Sequence, residues 1–305
     1  MSARGRIGRR GLLAGALAAS GAALLPPSRA EARQTGTFRS VPKQLQVFRM
    51  PAEGWAPVAQ LCRRMGISQV SIALSPVERR RYLADNRAGI AAFAPLLDSG
   101  LRVSCLVGDT AWLVNPPAGL PAELIESMHI NDKVFRFESL ILDVEPQAVA
   151  GWSGSGRADI VRNTLALFAE TRAACRLYDV KTVAALSPQF AQVANPGRRG
   201  ESLLDSCLAQ LDEVVLTTYR NDPNAAIAYA DAALQALQRR PIPAWFSVTT
   251  QLSARPEASY YGLGLPRFEK DVAELHARLR TLPQGRAVAG IAIHQFESLR
   301  RLAPA

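Results

Sequence analysis

Leu140-Ile141-Leu142-Asp143-Val144-Glu145-Pro146 closes an apolar, β-branched run on two carboxylates two residues apart. Side chains at that spacing on a strand leave from one face, so both acids point to the interior or mouth of whatever sheet holds them, while Val144 packs outward. Seven more short runs of this kind flank it, giving expected strands at 44–50, 68–75, 102–108, 138–145, 181–187, 213–219, 243–250 and 288–295. Amphipathic helical stretches separate them at about 55–65, 77–98, 121–130, 157–176, 201–210, 223–239 and 266–280, and any helix after the eighth strand is short or missing. Repeated strand–helix units make a parallel sheet, and eight of them in one domain point to an α/β fold of the (β/α)8 TIM barrel type. An open doubly wound sheet is the alternative. Its nucleotide-binding form is excluded, because no Gly-x-Gly-x-x-Gly follows the first strand and no Gly-x-x-x-x-Gly-Lys-Ser/Thr occurs anywhere.

Working outward, the amino terminus reads as an address. Arg4, Arg6, Arg9 and Arg10 precede an uncharged run from Gly11 to Leu25, too short to span a bilayer comfortably. Pro26 and Pro27 break it, and Ser28-Arg29-Ala30-Glu31-Ala32 supplies small residues at a cleavage spacing, so residues 1–32 are expected to be a signal peptide and 33–305 the catalytic barrel. Arg9-Arg10-Gly11-Leu12-Leu13 is similar to a twin-arginine export signal, with an ordinary secretory signal as the alternative. A periplasmic or secreted protein follows, with no stable membrane insertion once the leader is removed and a monomer as the default.

Removing the leader's five Arg and one Glu takes the formal net charge from +10 to about +6. That basicity suits an acidic polysaccharide or an anionic envelope. Nucleic acid is not expected as a partner: Arg79-Arg80-Arg81 and Arg239-Arg240 fall where helices expose a face, without interleaved aromatics. Cys62, Cys105, Cys175 and Cys207 show no Cys-x-x-Cys spacing and read as buried thiols.

Barrel enzymes carry function at the carboxyl ends of their strands. Strand three ends Gly108-Asp109-Thr110-Ala111-Trp112, where an acid beside an indole suits a sugar ring and Asp109 serves equally as a helix cap. On strand four, two acids side by side in an apolar strand repel each other, and one pKa should rise, as a general acid requires. Pairing with buried Arg is the alternative for both. Strand six ends Thr218-Tyr219-Arg220-Asn221-Asp222, with Tyr219 a candidate over the reacting centre and Asp222-Pro223 a helix start. Gln251 follows strand seven, and His294 and Gln295, oppositely oriented in an ideal strand, end strand eight. Trp112, Trp152, Trp245, Tyr260 and Tyr261 are candidates to line a cleft, each with ordinary packing as the alternative.

Leu142-Asp143-Val144-Glu145, Thr218-Tyr219 and the polar cluster ending strand eight resemble barrel glycoside hydrolases of the family 18 chitinase type. The same strand-four string is similar to that of family 25 lysozymes, and Asp-Val-Glu-Pro, Gly108-Asp109 and Ile291-Ala292-Ile293-His294 resemble exported barrel proteins of polysaccharide gene clusters. The resemblance implies that Glu145 is the proton donor, that Asp143 orients a substrate acetamido group acting as internal nucleophile, and that Tyr219 stabilises developing charge. The chain lacks the longer Asp-Gly-x-Asp-x-Asp-x-Glu run of the chitinases and an Asp on strand one. Glu145-Pro146 also resembles the acid/base motif of a large clan of retaining glycosidases whose nucleophile is a Glu ending strand seven, where this chain has Gln251, with Glu257 beyond.

The expected activity is hydrolysis of a glycosidic bond in a polysaccharide or oligosaccharide, with Asp109, Trp112, Gln251 and His294 shaping the substrate site. Two acids on one strand stand roughly 6.5–7 Å apart and leave on the same side, so they bracket a scissile bond poorly. Either the substrate supplies the nucleophile or another strand supplies a carboxylate. A sugar-binding barrel without turnover is the rival reading. No cofactor and no metal are expected: the three histidines, His129, His276 and His294, form no His-x-His or His-Glu-x-x-His, two of them fall on expected solvent-facing helices, and a site from Asp109, Asp143, Glu145 and His294 is the remaining alternative. No Gly-x-Ser-x-Gly and no poised Cys/His pair is present.

Overall fold

The computed structural model describes residues 37–75, 77–78, 86–115 and 137–302. The leader at 1–32, Arg79-Arg80-Arg81, the expected helix at 121–130 and His129 lie outside the described residues. Thr35–Ala305 forms one compact unit.

Eight parallel strands close into a barrel in sequence order: β1 Lys43–Val47, β2 Gln69–Ala73, β3 Arg102–Val107, β4 Ser139–Leu142, β5 Lys181–Leu186, β6 Glu213–Leu216, β7 Ala244–Thr249 and β8 Val288–His294. β8 pairs with β1 through Gln44↔Ala292 and Gln46↔His294, so no edge remains. The helices are α1 Ala56–Met65, α2 Asn86–Leu97, α3 Arg157–Leu177, α4 Leu203–Leu208, α5 Pro223–Arg239, α6 Leu265–Thr281 and a short closing α7 Phe296–Leu302. Their starts follow local chemistry. Asp222 accepts from Ala225 N at 2.8 Å ahead of Pro223, whose missing N–H costs nothing in a first turn. Ser202 caps α4 in the same way, accepting from Asp205 N at 3.1 Å. Among the described residues no helix is long and apolar enough to cross a membrane.

Every strand ends short of its expected last residue, β1 by three at Val47; the same shortfall of three recurs at two strands that carry candidate site residues, β4 at Leu142 rather than 145 and β6 at Leu216 rather than 219. The ladder carries one bond further in each, Asp143 N to Val107 O at 2.8 Å and Thr217 N to Leu186 O at 2.9 Å, before the chain turns into a loop. Apolar character continues past the last paired residue because Val144 and Thr218 are still buried, and a hydrophobic pattern reports burial rather than pairing.

Alternation divides the core in two. Outward-facing residues such as Leu45, Ile72, Leu140, Leu142 and Val214 pack with the helices in one large apolar cluster. Inward-facing Leu106, Ile141, Val183, Ala185, Val215, Trp245 and Ala292 form a separate plug inside the barrel. Beneath it Lys181 bridges Glu138 and Glu213 at 3.0 and 2.8 Å, and Trp245 Nε1 donates to Glu213 at 3.1 Å. Trp245 is thus a packing residue whose one polar atom is satisfied. One layer below the plug on β2, β3 and β4 the interior is also polar: Gln69 donates to Ser104 at 3.2 Å and Ser139 to the same hydroxyl at 2.8 Å.

Gly290 makes room for the plug. A Cβ there would stand 2.3 Å from Pro42 O and 2.7 Å from the Trp245 ring. Gly290→Ala is therefore expected to cost about 2–3 kcal/mol in urea unfolding, whereas Gly154→Ala, whose Cβ meets nothing nearer than 3.8 Å, should leave the midpoint almost unchanged. Equal midpoints for the two variants would contradict this account of the barrel interior.

Candidate active site

A cavity of about 530 Å³ opens at the carboxyl ends of the strands, lined by Asp143, Glu145, Tyr219, Gln251 and His294 together with Phe48, Arg220, Tyr229 and Arg255. It brings together five of the seven residues singled out from the sequence. Asp109 and Trp112 are not among its lining: Asp109 caps the 3-10 turn Thr110–Leu113 by accepting from Ala111 N at 2.8 Å, and Trp112 packs against the outer core. Trp152 packs on Phe190 and Tyr260 on Phe268, so the aromatics at the cavity are Phe48, Tyr219 and Tyr229 rather than the expected indoles. His276, expected on a solvent-facing helix, is half-buried on α6.

Asp143 and Glu145 reach the cavity by different means. Asp143 continues the inward phase of β4, directly above Ile141 of the apolar plug. Glu145 is exposed and adopts φ 43°, ψ 62°, a left-handed conformation that L-residues other than Gly, Asn and Asp seldom take, immediately before Pro146 starts a 3-10 turn. A non-glycine residue held in that region costs about 1–3 kcal/mol and persists only where its surroundings over-determine it. The sequence leads one to expect two acids buried alike in a strand; Asp143 is half-buried in the cavity and Glu145 stands exposed at its rim. Burial, reinforced by the charge of Glu145, pushes the Asp143 carboxyl up to about 6. Thus the group that burial raises is the residue assigned to orient substrate. Tyr219, also half-buried and facing Asp143, has its phenol pushed well above the usual range, so it is a hydrogen-bond donor throughout the physiological range.

His294 forms the floor. Its ring sits edge-on to Phe48 with centroids 4.8 Å apart and tilted against Tyr219 at 5.5 Å. Nδ1 lies 3.0 Å from the amide of Gln46 and Nε2 3.0 Å from that of Gln251. Burial lowers its pKa to about 4, so the imidazole is neutral and has one N–H; one glutamine accepts from it and the other turns its amide nitrogen to the bare ring nitrogen. The bond His294–Gln295 is cis; Gln295 lines an adjoining cavity with Arg49 and Glu297.

Sequence reasoning passed over several participants. Gln46 lies near the end of β1 and Phe48 just beyond it, where nothing in a short polar–apolar alternation marks them, and Arg220 stands out in the sequence only as the neighbour of Tyr219. Gly108 matters more than the acid beside it: a Cβ there would fall 1.7 Å from Asp143 O, so its absence lets the end of β3 lie against the backbone that carries Asp143. Among the described residues no group of three or more His, Cys, Asp or Glu is arranged to hold a metal ion, and all four cysteines are buried.

The fold is shared with solved glycoside hydrolases. A family 18 chitinase from Pseudoalteromonas aurantia superposes with a TM-score of 0.55 at 14% identity, over 86% of this chain and 96% of that one. A family 18 N-acetylglucosaminidase from Paenibacillus barengoltzii gives 0.51 at 12%, over 86% and 98%. A putative α-L-fucosidase from Bacteroides thetaiotaomicron gives 0.52 at 10%, over 85% and 89%. Likeness at these identities establishes the barrel architecture. No family model matches the sequence, and a search of curated proteins returns no relative.

The raised Asp143 pKa has a stability consequence of definite sign. Because the folded value near 6 exceeds the ordinary 3.8, folding favours the protonated acid; its contribution is present below pH 4 and is lost as pH rises through 6. Asp143→Asn is expected to be more stable than the parent by about 2 kcal/mol at pH 8 and indistinguishable at pH 3.5. Urea unfolding at the two pH values checks this, and a variant no more stable at pH 8 would mean that Asp143 is solvated.

Proposed function

We propose that the protein is a glycosidase that cleaves a polysaccharide or oligosaccharide, with Glu145 as general acid/base and Asp143 as its partner. The observation that carries this reading is the pairing of a half-buried carboxyl of raised pKa with a second carboxyl at the rim of the same cavity, a phenol donor beside them. Burial and mutual repulsion keep one proton on such a pair toward neutral pH, and a protonated acid next to a carboxylate is what protonating a leaving-group oxygen requires.

Both acids descend from β4, and among the described residues no other carboxylate lines the cavity. Gln251 and Arg255 occupy the loop after β7, and Glu257 is not among the lining. A protein nucleophile opposite the acid is therefore missing from this wall, which favours a sugar that supplies its own. In that scheme Glu145 protonates the glycosidic oxygen as the bond to the anomeric carbon breaks, and an acetamido carbonyl oxygen of the substrate closes on that carbon. Asp143 accepts the acetamido N–H, and the Tyr219 hydroxyl donates toward the same group. Glu145 then takes a proton from the water that opens the ring. The basic leader with its uncharged run supports placing this activity in the periplasm or outside the cell, in a protein acting as a monomer.

Reducing ends released from N-acetylhexosamine polymers and other polysaccharides are expected to fall by about 10²–10⁴ in Glu145→Gln, with the urea midpoint unchanged. Turnover retained in that variant would remove Glu145 from the chemistry, and sugar binding without product by the parent would make the barrel a binding protein. Activity of the parent should decline on the alkaline side with an apparent pKa of about 6, because above it the pair loses the proton to be transferred. Asp143→Asn should abolish that limb along with most of the activity; an unchanged limb would assign it to another group.

A further inference from the structure

Arg220 is anomalous among the arginines. Of the described residues three arginines are half-buried, Arg172, Arg220 and Arg240. Arg172 reaches Asp212 at 3.5 Å and Arg240 reaches Glu201 at 3.4 Å, whereas no carboxylate among the described residues lies within ion-pair distance of Arg220. A guanidinium partly withdrawn from water is normally paired. This one is instead positioned: its plane lies over the Tyr229 ring of α5 at 4.0 Å, and Nη1 donates to Tyr219 O at 2.7 Å. One of five N–H donors is thereby used, and the remainder belong to a group that lines the cavity. Arg255, on the loop after β7, lines the same cavity and likewise has no carboxylate partner among the described residues.

The two cations stand at β6 and β7, two and three strands round the barrel from the acids of β4. A planar guanidinium held by a ring and a carbonyl is preorganised for a two-oxygen anion, and its attachment to the residue after Tyr219 ties it to the reacting centre. The formal net charge, about +6 once the leader's five Arg and one Glu are removed, acts in the same direction over longer distance. Neutral sugars would leave both arginines without a counter-charge, and the carboxylates of β4 would repel an anionic group placed next to them.

We propose that the substrate is an anionic polymer, with an acidic substituent of a sugar near the cleaved bond received by Arg220 and Arg255. This rests on the glycosidase reading above for the position of the cleaved bond, but its recognition chemistry stands on the arginines alone. Carboxylate and sulfate or phosphate ester are alternative sources of one charge.

The test uses the Glu145→Gln chain in calorimetry with hexasaccharides of hyaluronan, unsulfated chondroitin, chondroitin 4-sulfate, polygalacturonate and alginate, each beside its carboxyl-reduced form, and with neutral chitohexaose. At least one charged oligomer is expected to bind about tenfold tighter than its reduced form. The preference should vanish in a second substitution, Arg220→Gln, shrink in Arg220→Lys, and persist in Arg176→Gln, which removes the same charge at the end of α3 on the opposite face of the barrel. Preference surviving carboxyl reduction of the sulfated oligomer assigns the charge to the ester. Equal affinity, or none, for anionic oligomers and uncharged ones across the panel, with the sulfated oligomer counted as anionic in both forms, overturns the proposal, as does a preference that Arg220→Gln leaves intact. Reducing-end release by the parent separates the two readings: charge preference without product removes hydrolysis and leaves anion recognition, while chitohexaose cleavage without charge preference does the reverse.

Discussion

Closure of the sheet between β8 and β1 is the constraint on which the rest depends. Once every strand is paired on both sides, alternate residues have nowhere to go but inward, and the barrel must be filled from its own strands. Here Leu106, Ile141, Val183, Val215 and Trp245 fill one layer of the interior, while Gln69, Ser104 and Ser139 lie in the layer beneath. The closing pair Gln46↔His294 also brings residues 248 positions apart into one hydrogen bond and so builds the floor of the cavity.

The plug sets the electrostatics above it. Asp143 sits over Ile141, so its carboxyl has apolar atoms beneath and the charge of Glu145 beside it, and both oppose ionisation. The same low-dielectric surroundings keep His294 neutral and Tyr219 protonated. These two titratable groups therefore present fixed donors and acceptors near neutral pH, while the carboxyl pair alone is poised to exchange a proton. Glu145 escapes the plug only because the chain leaves β4 at Leu142 and turns left-handed, which carries this second acid to the rim.

Small residues decide how closely these parts meet. Gly290 admits the Trp245 ring and the backbone of Pro42, and Gly108 admits the carbonyl of Asp143. Each keeps adjacent strand ends at a separation that any side chain would widen, one at the plug and the other at the acid pair.

Apolar β-branched runs were enough to read eight strands, and Asp222-Pro223 enough to start a helix, because those signals are local: burial on both faces and satisfaction of a first turn act within a few residues. The pair Asp143 and Glu145, and Tyr219 two strands on, were legible because acids and a phenol at strand ends stand out against an apolar background. Other features depended on residues far away in the chain. The sequence could not say that β4 ends at Leu142, that Asp109 merely caps a turn, or that Gln46 and Gln251 clamp His294. Nor could it say that Arg220 lacks the carboxylate that Arg172 and Arg240 have. Periodicity and residue type thus determine which segments are buried and which chemistries are available; which of those chemistries share a cavity, and which charge goes unpaired, is decided by barrel closure, since only that brings strand ends remote in sequence within hydrogen-bonding distance.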